Sequence, residues 1–241
     1  MSAAPRITAI TVVKNGVGWL EETIQSVIRQ KPVANIEHLI VDGGSTDGTV
    51  ALIERYAEHI SWWISEPDGG VYDAMNKGWA ATPADNFVLF LGAGDRIVSL
   101  PDMNRFQHLD VLCGSVRMGE NGLFIPRSDF HLKLYNSLHH QALLINKRLH
   151  PAPPFNVRYT LYADFDFNQR LKKSGVAFVR AVDFVAYARP GGMSDQPCFP
   201  ESLRIIVTNY GFIWAVLALA GYCAMKLFPV LRRLRPVQKV R

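Results

Sequence analysis

Short apolar segments alternate with amphipathic segments through the first hundred residues, and this alternation restricts the fold more than any other feature of the sequence. The apolar segments have the length of buried strands, whereas the segments between them place apolar residues at helical spacing. The predicted strands are 6–13, 38–41, 62–64 and 87–91, and the predicted helices are 20–29, 50–57 and 71–81. This order predicts an α/β fold with a doubly wound, mostly parallel sheet.

Acidic and glycine-rich loops follow three of these strands, after Val41, Ile64 and Leu91. The carboxyl ends of parallel strands meet at one edge of a sheet, where open α/β sheets bind their ligands. The segment from Phe87 to Leu91 is wholly apolar, which predicts a strand buried on both faces, and Asp95 follows it in a glycine-rich turn. Asp95 is therefore a candidate metal or phosphate site, with an ordinary solvated turn as the alternative.

The regular alternation stops after Asp95. Strands are predicted at 110–118 and 123–125 on either side of a turn, and a helix at 163–173 precedes a strand at 176–188. We expect this half to complete the sheet and to form the acceptor side of a cleft. The predicted organisation is one domain over 1–200, with a donor half at about 1–100 and an acceptor half at about 101–200, and a helical tail at 201–241.

Charge and motif content exclude several classes of function. Six basic residues and no acid lie between 226 and 241, so the net charge of +5 leaves the rest of the chain nearly neutral. This distribution disfavours a nucleic-acid-binding domain. The glycine patterns of dinucleotide-binding folds and P-loops are absent. Three scattered cysteines indicate a reducing compartment and no structural disulfides.

Four segments resemble motifs of glycosyltransferase family 2, a large group of inverting transferases with the GT-A fold. They are residues 11–15, 40–49, 65–78 and 163–166, in the family's order. The resemblance is greatest to the bacterial transferases of exopolysaccharide and colanic-acid-type assembly. It implies a GT-A-like sheet, a nucleotide-sugar donor, a divalent metal (Mn or Mg) and an acceptor hydroxyl.

The resemblance assigns several polar residues of the first half to donor binding: Thr11, Asn15, Asp42, Asp68, Asp73, Asn76 and Lys77. Asp42 matches the acid that usually holds the nucleoside base, and Lys77 would meet the diphosphate as a point charge. Both have structural alternatives. Aspartate often stabilises its own turn, which is the alternative for Asp42, and the alternative for Lys77 is a solvated lysine near a helix end.

Asp95 matches the last acid of the family's metal motif, but Gly92 and Gly94 stand where an acid or asparagine is often found. One carboxylate can still hold Mg or Mn together with water and substrate phosphates. On the acceptor side, His140 is a candidate second ligand for the metal. The alternative for His140 is a hydrogen-bonded structural histidine.

Asp164 matches the acid of the family's catalytic base motif, with Ala163 in place of glutamate. Inverting transfer needs one base to take the acceptor proton, so a single carboxylate suffices. Asp166 is the rival candidate, and two residues apart on a helix the two side chains point in different directions. The resemblance places Arg170 on the acceptor side, with a surface helix residue as the alternative.

An uncharged run of 21 residues, 205–225, is long enough to span a bilayer. A single span would carry the basic tail away from the side where nucleotide sugars are found, against the positive-inside tendency. We expect instead a helix at the membrane interface, on the cytoplasmic face of the inner membrane, with the tail on anionic headgroups. This placement fits a lipid-linked acceptor. A helix packed on the domain's own core is the alternative.

Three functions are compatible with these features, and a metal-dependent glycosyltransferase is the leading hypothesis. A sugar nucleotidyltransferase has a similar sheet, but this chain lacks a glycine-rich, basic loop after its first strand. Gly92, Gly94 and Ala163 stand where the family's motifs often have acids. This difference motivates a third hypothesis, a catalytically inactive protein that binds nucleotide sugars.

Overall fold

One mixed sheet organises the described chain, which comprises residues 5–106, 108–119, 122–150, 153–192 and 198–233 of a computed structural model. Its strands are β1 (Ile7–Val13), β2 (Ile36–Asp42), β3 (Trp62–Ser65), β4 (Phe87–Gly92), β5 (Arg96–Ser99), β6 (Val111–Met118), β7 (Leu123–Phe124), β8 (Leu143–Asn146) and β9 (Phe178–Ala188). They follow the order β3-β2-β1-β4-β8-β6-β9-β5, with β7 paired to β6.

The first half of the sheet is parallel, as predicted, because β3, β2, β1 and β4 all pair in parallel. The prediction of a mostly parallel sheet is wrong for the second half. There β6 pairs with β9 in parallel, but β8 is antiparallel to both β4 and β6, and β5 is antiparallel to β9, so this half is mixed. A parallel pair needs a long crossover, usually a helix, and the described chain between β4 and β8 contains β5, β6, β7 and short 3₁₀ segments but no α-helix.

Helices cover both faces of this sheet: α1 (Val17–Ile28), α2 (Thr49–Arg55), α3 (Val71–Ala81), α4 (Ala163–Lys173), α5 (Phe199–Tyr210) and α6 (Phe212–Arg233). Side chains of β4 alternate between two core layers. Phe90 packs in the layer that contains Trp79 of α3 and Phe167 of α4, whereas Leu89 packs in the layer that contains Val27 of α1. Every residue from 87 to 91 is at most 2% exposed, which confirms a strand buried on both faces.

The uncharged run at 205–225 is not one helix, because the chain breaks between α5 and α6 at Gly211. Gly211 has a φ of 90°, a backbone angle that favours glycine. Ile205 and Ile206 of α5 are fully buried, so this part packs on the domain core. No helix within the described ranges is long and apolar enough to cross a membrane. The tail residues 234–241 lie outside the described residues.

Candidate active site

The ends of β1 and β4 open into a cleft of about 190 Å³, at the sheet edge where the sequence predicts ligand binding. Its wall is built by both halves of the chain, including the start of α3, the segment 139–141 and the residues after β9. Polar side chains on this wall include Tyr72, Asp95, His140, Gln141 and Arg189. The fold therefore brings the predicted metal residue and a predicted acceptor-side residue into one cleft.

Asp95 lies just beyond β4 and is 6% exposed. Its carboxylate accepts hydrogen bonds from the backbone N–H groups of Gly92 (2.8 Å) and Arg189 (3.0 Å) and from Nε2 of Gln141 (3.2 Å). Burial raises the pKa of Asp95, while the charge of His140 and these hydrogen bonds act in the opposite direction. Asp95 is thus a buried acceptor whose charge a bound cation would compensate.

Two oxygen atoms of residues on the cleft wall are of the chemical type that a divalent cation prefers. A carboxylate has about four acceptor positions, and the contacts of Asp95 leave one of its oxygens with spare capacity. The Oε1 atom of Gln141 is buried and has no hydrogen-bond partner, and Mg and Mn prefer oxygen ligands. The described residues contain no group of three His, Cys, Asp or Glu side chains that could hold a metal ion. Phosphates of a donor and water would therefore have to complete the coordination.

Asp164 occupies the first turn of α4 and is 7% exposed. It accepts a hydrogen bond from the backbone N–H of Phe165 at 2.8 Å. The hydroxyl of Tyr72 lies 3.3 Å from Oδ1, and Nδ1 of His140 and Nδ2 of Asn136 lie 3.4 Å from the carboxylate. Asp164 therefore contacts two residues, Tyr72 and His140, that line the cleft.

Asp164 and His140 shift each other's pKa. Burial acts to raise the pKa of Asp164, but the hydrogen bond and charge of His140 outweigh burial and lower it. Burial acts to lower the pKa of His140, but the hydrogen bond to Asp164 and the charges of Asp164 and Asp95 outweigh burial and raise it. Asp164 is consequently ionised at neutral pH, and the N-terminus of α4 also favours its negative charge. The Nδ1 contact of His140 with Asp164 supports the structural alternative for this histidine.

Asp166 and Arg170 form a pair outside the cleft wall. The Nε atom of Arg170 donates to Asp166 at 2.9 Å, and Nδ2 of Asn209 in α5 donates to the same carboxylate at 3.0 Å. Arg170 also donates to the carbonyl of Pro154. These contacts join α5 and the loop at Pro154 to α4, and the rival base role of Asp166 and the acceptor-side role of Arg170 stay predictions.

Asp42 and Thr11 are buried residues that bind protein groups. The carboxylate of Asp42 is fully buried and accepts hydrogen bonds from the N–H groups of Gly44 and Ser45 and from the hydroxyl of Ser65. Thr11, within β1, is also fully buried, and its hydroxyl lies 2.8 Å from Nε2 of His38. Asp42 thus stabilises its own turn and Thr11 belongs to the interior, and the donor contacts of both residues stay predictions.

Asn15 and Asn76 join separate backbone segments. Asn15 has a φ of 51°, and its Oδ1 accepts from the N–H of Thr46 at 2.9 Å. Asn76 exchanges two hydrogen bonds with the backbone of Phe155, at 2.8 and 3.0 Å. The side-chain amides that were predicted to bind donor thus hold together the loops around the cleft.

Asp68, Asp73 and Lys77 lie beside the cleft at the start of α3. Lys77 is 2.7 Å from Glu66 and 3.7 Å from Asp73, so carboxylates already compensate its charge. Asp68 lines a second hollow together with Lys14, and this hollow shares part of its wall with the cleft. Asp68 is therefore the predicted donor-binding residue that is best placed for a ligand.

Comparison with known proteins agrees with this architecture. Residues 8–97 match the model of glycosyl transferase family 2. A PGL/p-HBAD biosynthesis glycosyltransferase of Mycobacterium bovis is 30% identical over 217 residues, which cover 84% of this chain and 84% of that relative. This chain belongs to glycosyltransferase family 2.

Other relatives of this family 2 glycosyltransferase are longer. An uncharacterised glycosyltransferase of Mycobacterium tuberculosis is 42% identical over 103 residues, which are 43% of this chain and 38% of that relative. The structure of Staphylococcus aureus TarS has a TM-score of 0.65 at 18% identity, over 84% of this chain and 39% of TarS. The mannosyltransferase PcManGT of Pyrobaculum calidifontis has a TM-score of 0.59 at 18% identity, over 92% and 76% of the two chains. These likenesses show the GT-A-like fold.

Tyr72 and Arg189 are cleft residues of this family 2 glycosyltransferase to which the sequence analysis gave no role. Tyr72 lies inside the recognised segment 65–78, and its position three residues before Met75 on one helix face signals burial. Arg189 precedes Pro190 and two glycines, a turn signal at the end of a predicted strand. In both cases the sequence shows the local structure but not the partner across the cleft.

Proposed function

We propose that this protein is an inverting, metal-dependent glycosyltransferase that moves a sugar from a nucleotide-sugar donor to a hydroxyl of a saccharide acceptor. The observation that carries the proposal is the position of His140, which contacts the ionised Asp164 and lies within electrostatic reach of Asp95. One carboxylate, which contacts two residues of the cleft wall, is thus ionised and able to accept a proton, and a second lines the cleft where a cation would compensate it.

Asp164 acts as the general base in the proposed reaction. The acceptor hydroxyl transfers its proton to Asp164 while its oxygen forms a bond to the anomeric carbon. The bond from that carbon to the diphosphate breaks, and the electron pair leaves with the diphosphate. A single displacement of this kind inverts the anomeric configuration. A divalent cation held by Asp95, Gln141 and the diphosphate would neutralise the charge of the leaving group.

The names of relatives support the donor and acceptor classes. TarS has been crystallised with UDP and with UDP-GlcNAc, and PcManGT with GDP-Man and Mn²⁺. Relatives that share most of their length with this chain are named for PGL/p-HBAD biosynthesis, and TarS is named a poly(ribitol-phosphate) beta-N-acetylglucosaminyltransferase. We infer a nucleoside-diphosphate-sugar donor and an acceptor that belongs to a glycolipid or a cell-envelope polysaccharide.

A thermal-shift screen of nucleotide sugars, each with and without manganese, tests the donor class. Ligand at a hundred times its Kd stabilises a protein by about 2.7 kcal/mol, which for a chain of this size corresponds to a Tm rise of roughly 5–10 °C. We expect such a rise with one nucleoside diphosphate sugar, and a smaller rise without manganese. A Tm that responds to no nucleotide sugar would argue against a transferase and against an inactive donor-binding protein alike.

We further propose that α6 and the basic tail attach the enzyme to the cytoplasmic face of the inner membrane, where a lipid-linked acceptor would be found. Phe212 and Ile213 of α6 are 74% and 75% exposed, and Val216, Leu217 and Leu219 are also exposed. The six basic residues of segment 226–241 follow this apolar surface directly. Apolar side chains followed by cations are typical of a helix that lies on an anionic bilayer.

Sedimentation with vesicles that contain anionic phospholipid tests this attachment. The double variant Phe212→Ser with Ile213→Ser is expected to lose most of the vesicle-bound fraction, because each exposed apolar side chain contributes about 1.5–3 kcal/mol when buried. Val182→Ser is the matched control, since Val182 is 76% exposed on β9. Equal binding of both variants, or wild-type binding that is independent of anionic lipid, would contradict the proposal.

A further inference from the structure

Arg189 is the first residue after β9 and lies directly beside Asp95. Its backbone N–H donates to Oδ1 of Asp95 at 3.0 Å, so its position is tied to that of the carboxylate. Its side chain passes over Gly94, where an added Cβ would lie 2.4 Å from Cδ of Arg189. The absence of a side chain at Gly94 is therefore what allows the stem of Arg189 to follow this path.

The guanidinium of Arg189 stacks on Trp19, with Cζ 3.4 Å from the centroid of the ring. Trp19 lies in the first turn of α1 and is 45% exposed, although tryptophan is usually well buried. A stacked guanidinium uses its flat face for the ring and keeps its N–H groups, which lie around its edge, for another partner. Trp19 thus holds Arg189 in one orientation without consuming its hydrogen-bond donors.

The charge of Arg189 has no carboxylate partner at ion-pair distance within the described part of the chain. Of the described residues on the cleft wall, Arg189 is also the one that carries a permanent positive charge. Lys77, the lysine that the sequence suggested for this role, is already bound to Glu66. A fixed guanidinium at the cleft, with no carboxylate partner among the described residues, is suited to an anionic ligand.

We propose that Arg189 binds the diphosphate of the nucleotide donor and that Trp19 is its positioning residue. The inference rests on the proposed function, which supplies the anionic ligand. The planar guanidinium fork matches two phosphate oxygens. Because negative charge grows on the diphosphate as the sugar departs, the same contact stabilises the leaving group. Asp95 and Arg189, joined through the backbone hydrogen bond, would then approach the diphosphate together.

Calorimetric titration with UDP, GDP and the corresponding monophosphates, in the presence of manganese, tests this role. Loss of a charged hydrogen-bond partner predicts that Arg189→Gln weakens diphosphate binding by roughly ten- to a hundredfold, with a smaller effect on monophosphate binding. Arg189→Lys should recover part of the loss, and Trp19→Ala should give a smaller loss. The matched control is Arg105→Gln, because Arg105 is an exposed arginine over the ring of Phe106, away from the cleft.

The outcomes separate this inference from the function on which it rests. If the wild-type protein binds neither diphosphate, with or without manganese, the proposed function fails and Arg189 has no ligand. If the wild-type protein binds one diphosphate and the Arg189 and Trp19 variants bind it equally tightly, the role of Arg189 is overturned and the proposed function stands. Because Trp19 is partly exposed, Trp19→Ala tests the stacked geometry even if removal of Arg189 impairs folding.

Discussion

Replacement of Asp164 by asparagine is expected to lower the turnover of sugar transfer by about a hundredfold to ten-thousandfold, the range that a positioned general base contributes. Asparagine keeps the shape of the side chain but cannot take the proton of the acceptor hydroxyl. Because Asp164 does not contact the donor in the proposed reaction, donor-induced thermal stabilisation should persist. The measurement is the initial rate of transfer to acceptor at saturating donor, together with the Tm of the donor complex.

Asp166→Asn is the matched control, two residues along the same helix. Asp166 pairs with Arg170 and Asn209, so its replacement should lower Tm because it weakens a buried ion pair. Turnover of the folded variant should stay within about tenfold of wild type, since no proton passes through Asp166. If Asp166→Asn lost activity and Asp164→Asn kept it, the assignment of the base would be reversed.

The choice between these two aspartates shows what helical periodicity can and cannot provide. The sequence predicted that the two side chains point in different directions, and they do: Asp164 contacts His140, and Asp166 contacts Asn209. The sequence could not show which of the two side chains contacts the residues of the cleft wall. That depends on α5, whose buried Asn209 contacts Asp166 across the helix interface.

The first four strands were predictable because each is a largely apolar or β-branched run followed by a turn, and a parallel sheet favours that pattern. The second half was less predictable because its pairings are non-local. β5 follows β4 after a short turn, yet it pairs with β9 at the far end of the sheet. The sequence predicted no strand at 96–99, and local hydrophobicity contains no information about the partner of a strand.

The same limit applies to the residues of the site. Asp95 was predictable because a carboxylate after a buried strand lies at the ligand-binding edge. Asp42 follows the same rule but is fully buried, since the hydroxyl of Ser65 on β3 and the N–H groups of its own loop bind its carboxylate. The role of Arg189 could not be predicted from the sequence, because its contacts with Trp19 and Asp95 join segments that meet only in the folded protein.

Replacement of Asp95 by asparagine is expected to abolish metal-dependent donor binding. Loss of a residue that only supports a metal ligand typically costs 10- to 100-fold in metal affinity, so loss of the ligand itself should cost at least about a hundredfold. Calorimetric titration of UDP or GDP with and without manganese measures this effect. Because burial raises the pKa of Asp95, wild-type affinity should fall on acidification at a higher pH than for an exposed aspartate.

Stability distinguishes loss of the metal site from loss of the fold. The raised pKa means that the folded protein disfavours the ionised form of Asp95, so a neutral asparagine removes an unfavourable charge. The Tm of the unliganded variant should therefore fall only modestly at neutral pH, because removal of this charge offsets the loss of one acceptor oxygen for the N–H donors of Gly92, Arg189 and Gln141. Asp102→Asn, at an exposed aspartate whose carboxylate accepts from Asn104 of its own turn, should leave both Tm and manganese dependence unchanged. If Asp95→Asn retained manganese-dependent binding, the cation would have to bind elsewhere, and the single-carboxylate model of this site would be wrong.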